Sequence, residues 1–131
     1  MKRRRFLHLA IASAGTAVLP MSACRFFGGS RQPIDQPITL SRICEESSIL
    51  EIGKAYQSME PIAGNVQQLK EALLMDFYGK IPTGKDTDEV PLDVMEKRIA
   101  EDFRKNLIVY PAGWILSRTE ARQCALYSLT A

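Results

Sequence analysis

The chain has 131 residues, of which 46% are hydrophobic, 24% charged and 8% aromatic, a balance that excludes a low-complexity or disordered polypeptide and leaves room for one domain. The formal net charge of +2 misleads, because Lys2, Arg3, Arg4 and Arg5 crowd the first positions; without them 13 basic residues face 15 acidic ones. No basic patch remains that could neutralise phosphates, which argues against a nucleic-acid partner.

Lys2-Arg3-Arg4-Arg5-Phe6-Leu7-His8 precedes an apolar run from Leu9 to Leu19 that Ser13, Gly15 and Thr16 dilute. Two adjacent arginines, one free position and then Phe-Leu resemble a bacterial twin-arginine export signal, with Arg3 and Arg4 as the pair and Phe6 and Leu7 behind them. His8 stands where the pattern often has Lys. The implied partner is the twin-arginine translocase. Weak hydrophobicity suits such a signal better than a permanent spanning helix, the competing reading being an uncleaved N-terminal anchor.

The leader closes on Pro20-Met21-Ser22-Ala23-Cys24, which resembles a lipoprotein processing site. Cys24 would then carry the membrane lipid, each buried methylene contributing ~0.8 kcal/mol of anchoring. Met21 departs from the usual Leu, and the alternative is that Cys24 is an ordinary residue beside another cleavage site. Arg25 follows, with no Asp to suggest inner-membrane retention. The expected organisation is a signal peptide over 1–23, a lipidated tether over 24–38 and a small domain over 39–131, held at the periplasmic face of a membrane.

Gly28, Gly29 and Ser30 give the tether slack, and Pro33 and Pro37 stiffen its approach. Ser41 to Glu45 reads as a first turn or short helix. A helix over Ser48 to Met59 places Ile49, Ile52 and Tyr56 on one stripe, with Ser47 or Ser48 as cap and Pro61 as stop. Gly53 inside it costs about 1 kcal/mol against Ala, which points to close packing of another helix on that face.

Asn65 caps the next helix, with Gln68 three residues on; Val66, Leu69, Leu73 and Phe77 form its stripe and Gly79 ends it. A polar loop spans Lys80 to Glu89. Pro91 suits a first helical position, and Leu92, Met95, Ile99 and Phe103 then share one face. Asp93 with Lys97, and Glu101 with Lys105, sit four apart on the wet side.

Leu107 to Tyr110 is β-prone, Pro111-Ala112-Gly113 turns the chain, and Trp114-Ile115-Leu116 follows. These short runs either pair as a small hairpin or cross the helices. Ser117 to Glu120 is a capping box that opens a last helix through Ala121, Cys124, Ala125 and Leu129. The expected fold is all-α, a small bundle of about four helices.

The single histidine, His8, lies in the leader, so the domain has no imidazole for acid–base work, a nucleophile triad or metal ligation. Cys44 and Cys124 belong to no C-x-x-C pair, which disfavours a thiolate metal site. Glu101 and Asp102 read as a solvated helix face. Lys80 to Lys85 carries Gly84-Lys85 but lacks the first glycine of a phosphate loop. Cys44 and Cys124 could bridge in an oxidising compartment, a closure the chain-entropy estimate values at ~4–5 kcal/mol; buried free thiols are the alternative. Trp114 reads either as core or as an interface anchor.

Gly113-Trp114-Ile115-Leu116-Ser117, followed by Thr119-Glu120-Ala121-Arg122-Gln123-Cys124-Ala125-Leu126, with Ile43-Cys44 and Ile52-Gly53-Lys54-Ala55-Tyr56 upstream, resembles short twin-arginine-exported bacterial proteins. These are similar to the small subunits of membrane-bound flavoprotein sugar and alcohol dehydrogenases of the sorbitol or fructose dehydrogenase type. The resemblance implies a subunit without catalytic residues, cofactor or metal, the flavin being held by a large oxidoreductase subunit. The expected role is therefore an accessory subunit, with a partner surface around Trp114, Arg118 and Arg122 on the last helix. The alternatives are a free-standing envelope lipoprotein with a structural or ligand-binding role, and an enzyme working with carboxylates alone.

Overall fold

The computed structural model describes residues 31–83 and 88–131. Arg3, Arg4, Phe6, Leu7 and Cys24 lie outside the described residues, as does Lys85.

The first described element is a strand, although this stretch reads as tether. β1 (Arg31–Pro33) runs antiparallel to β2 (Glu89–Pro91), pairing Arg31 with Pro91 and Gln32 with Val90. The Ile34 amide then donates to the Asp88 carbonyl at 2.9 Å, and Ile34 and Pro37 are buried. The packed unit begins at Arg31, ahead of the expected boundary at residue 39. Ile34 and Val90 explain this: each is a β-compatible side chain that reaches the core only if both segments lie flat together.

α1 (Ile38–Ser41) is one turn, and α2 (Glu46–Gln57) follows it. α2 starts ahead of Ser48, with Glu45 as cap and no side-chain capping bond. Ile49, Ile52 and Tyr56 face inward, as their spacing requires. Pro61 does end the helix, by opening a short 3-10 turn over Pro61–Gly64. In α3 (Val66–Tyr78) the Gln68 amide donates to Asn65 Oδ1 at 3.0 Å, and Gly79 closes the helix at φ +70°, a conformation that suits glycine.

α4 (Leu92–Arg104) takes Pro91 as its cap residue. Leu92 and Met95 are buried, but the stripe emerges towards its end and Phe103 is exposed. β3 (Ile108–Val109) and β4 (Leu116–Ser117) pair antiparallel around a 3-10 turn at Pro111–Gly113, so the hairpin alternative is the one formed. Ala112 and Gly113 both take positive φ, 52° and 83°, to make that reversal. The fold is thus mostly helical with two small antiparallel sheets, not purely all-α.

α5 (Arg118–Thr130) is the central element. Every residue from Thr119 to Leu126 is buried, so neighbours enclose its first two turns all round. α2 packs most closely, because Gly53 presents no side chain: a Cβ there would lie 2.2 Å from the Cys124 carbonyl oxygen. On one side Ala121, Ala125 and Leu126 join Ile34, Tyr56, Ala63, Leu69, Leu73 and Leu74; on the other Cys124 joins Leu40, Ile49, Ile52 and Leu116. Burial of each large aliphatic side chain contributes about 1.5–3 kcal/mol.

Candidate functional site

A helix enclosed on all sides is usually apolar, yet Thr119, Glu120, Arg122 and Gln123 of α5 are polar. Each buried polar group must find a partner, and the search for those partners builds the site. At the helix start the capping box forms as the sequence predicts. The Glu120 amide donates to Ser117 Oγ at 3.1 Å, and the Ser117 amide donates to Glu120 Oε1 at 3.2 Å. The Thr39 hydroxyl adds a long bond to Glu120 Oε2 at 3.3 Å.

Asp102 supplies a second cap from another helix. Its Oδ2 accepts from the Thr119 amide at 2.9 Å and from the Thr119 hydroxyl at 2.6 Å, while Arg98 grips Oδ1 at 2.8 Å. Its side chain is fully buried, which corrects the reading of Glu101 and Asp102 as one solvated face. Glu101 alone is a surface group, paired with Arg104 and with Lys105. A carboxylate at a helix N-terminus also meets the positive end of the helix dipole.

One turn further, Arg122 bridges two acids from separate elements. Its guanidinium donates to Glu60 Oε1 at 2.6 Å and to Asp76 Oδ2 at 2.7 Å. Tyr56 donates its hydroxyl to Glu60 Oε2, and Arg118 leans on Asp76 at 3.6 Å. Burial alone would raise the Glu60 carboxyl, but hydrogen bonds from Arg122 and Tyr56 outweigh it and hold the group below its ordinary value. Burial, reinforced by Glu60, pushes the Tyr56 phenol well up. Gln123 donates weakly to the Ile34 carbonyl at 3.4 Å, and its Oε1 is buried without a partner among the described residues.

Of the two arginines expected at a partner surface, Arg118 is partly accessible, with 30% of its side chain exposed, whereas Arg122 is turned inward. Arg122 is only 8% exposed, and α5 is the inside of the domain. The sequence signal was misread because cations on a helix normally face water, whereas here two acids distant in sequence draw Arg122 inward. Cys44 and Cys124 are free thiols in this structure. Both touch the same apolar cluster, and burial raises the Cys124 thiol well above its ordinary value. Trp114 is half-buried against that cluster.

Two accessible regions among the described residues bear on function. A shallow groove of about 330 Å3 is lined by Asp76, Phe77, Val94, Lys97, Arg98 and Glu101. The other is the outer face of the hairpin. Val109 pairs with Leu116, which is buried; one step beyond, Tyr110 and Ile115 stand opposite each other, 62% and 66% exposed. No group of three His, Cys, Asp or Glu side chains that could hold a metal occurs among the described residues. None of the described helices is long and apolar enough to cross a membrane. No family model, curated protein or solved structure matches the chain.

Proposed function

We propose that the chain is a non-catalytic, membrane-tethered accessory subunit that escorts or seats a periplasmic oxidoreductase of the flavoprotein dehydrogenase kind. The leader through Cys24 and the resemblance around Trp114 motivate the reading. The observation that carries it is the exposed apolar pair Tyr110 and Ile115 beside half-buried Trp114. Tyr110 and Ile115 contribute little to the domain's own core, and exposed aromatic and aliphatic groups at a turn are common material of a contact surface. The buried charges Arg122, Glu60, Asp76 and Asp102 are meanwhile tied to one another or to α5.

The competing role, a free-standing lipoprotein that holds a ligand, would use the groove between α3 and α4. That groove is shallow, and Asp76, Arg98 and Glu101 in it already have ionic partners. Purification from detergent-solubilised membranes tests the proposal. A flavoprotein recovered in fixed ratio is the expected result; recovery of the chain alone, monodisperse and at full yield, contradicts it.

A further inference from the structure

Cys44 lies in the turn between α1 and α2, and Cys124 lies on α5. Two side-chain bonds fix how these stretches meet. The Thr39 hydroxyl donates to Glu120 Oε2 at 3.3 Å, and the Tyr127 hydroxyl donates to Glu46 Oε1 at 2.6 Å. Both bonds join residues 81 apart, and Cys44 and Cys124 fall between them, one residue short of that spacing. Glu120, Cys124 and Tyr127 stand at i, i+4 and i+7 and so share one face of α5, the face that the 39–46 segment crosses. Cys124 is fully buried there, while Cys44 is half-buried against the same apolar cluster and its thiol donates to the Leu40 carbonyl at 3.3 Å. Burial raises both thiols, and the charge of Cys44 is felt at Cys124.

The geometry points to a modification site: Cys44 and Cys124 are a dithiol that closes to a disulfide and ties the α1–α2 turn to the buried face of α5. Cys44, the accessible member, attacks an external disulfide as its thiolate. One sulfur of that reagent becomes bonded to Cys44 Sγ, and the other leaves as a thiolate. Cys124 then gives up its proton and attacks Cys44 Sγ, which forms the internal bond and expels the second reagent thiolate. Two protein thiols are thereby oxidised, and one external disulfide is reduced to two thiols. Closure requires the Cys44 thiol to leave the Leu40 carbonyl, and a thiol is a weak donor. In the chain-entropy account the bond acts by restricting the unfolded chain, and this loop encloses most of the domain, from α2 into α5. The inference stands apart from the hairpin and holds whether the domain works alone or beside a partner.

The test uses the full chain with Cys24→Ser, which leaves these two thiols alone, folded and incubated with glutathione disulfide at neutral pH. Digestion should then yield a peptide that links Cys44 to Cys124, with both thiols lost to titration. The bridged chain should melt about 5 °C or more above the same chain treated with dithiothreitol. With Cys124→Ala added, one glutathione should stay on Cys44, which marks Cys44 as the entry point. Two thiols still free after incubation overturn the inference, as does a glutathione adduct on Cys44 of the two-thiol chain that never resolves. A cross-link that appears only in urea, or that leaves the Tm unchanged or lower, overturns it equally, because the folded domain would then not accommodate the bond.

Discussion

The first two turns of α5 and the β3–β4 hairpin adjoin in sequence, yet they sort their side chains in opposite directions. In α5 an arginine, a glutamine, a glutamate and a threonine are buried. In the hairpin a tyrosine and an isoleucine stand mostly in water. Within that set Arg122 and Thr119 take their partners from three distant places in the chain: Glu60 ahead of the 3-10 turn, Asp76 of α3 and Asp102 of α4. The exposed set has no such partners. Polarity by itself therefore does not mark function in this domain; the side chains that look chemical hold the fold, and the side chains that look like core are presented to the outside.

The sharpest way to break that contrast is to disturb the interior. Arg122→Met should cost about 3–5 kcal/mol in denaturant unfolding, because it leaves Glu60 without a counter-charge and Asp76 with only the longer contact to Arg118. A loss below about 1 kcal/mol would show Arg122 to be a surface group after all. Asp102→Asn should cost less, about 1–2 kcal/mol, since the amide can keep one bond to Thr119 but loses the ion pair to Arg98.

Acid should sharpen the same point. The Glu60 carboxyl sits lower in the folded chain than in the unfolded one. Its stabilisation is therefore complete above the unfolded carboxylate value of about 4.3 and is lost as pH falls through the lower folded value. A plot of Tm against pH should fall more steeply below that point for the wild-type chain than for Glu60→Gln. Parallel curves would remove Glu60 from the network. The smallest effect belongs outside: Tyr110→Ser and Ile115→Ser should each change stability by no more than about 0.5 kcal/mol. A larger loss would make the hairpin face part of the core.

Local signals were legible in the sequence. The Asn65 cap, the Gly79 stop and the capping box at Ser117 form as their spacing predicts, because each joins residues three or four apart. Gly53 correctly announced a close helix, although not which one; the Cys124 backbone supplies that answer. What escaped was long-range. Arg31–Pro33 reads as slack chain because its strand partner lies beyond a loop, and three-residue strands carry no periodicity. Asp102 and Arg122 read as surface charges because nothing local reveals Thr119, Glu60 or Asp76 as their partners.

A contact surface at the hairpin means that Ile115 is touched in the cell while α5 is not, and in-cell photo-crosslinking reads this directly. A benzophenone amino acid is placed at Ile115 and, as an exposed polar control, at Gln67 of α3. Strong adducts from position 115, with lipid or with protein, and few from position 67 are the predicted result. Equal yields from the two positions, or none from 115, would contradict it.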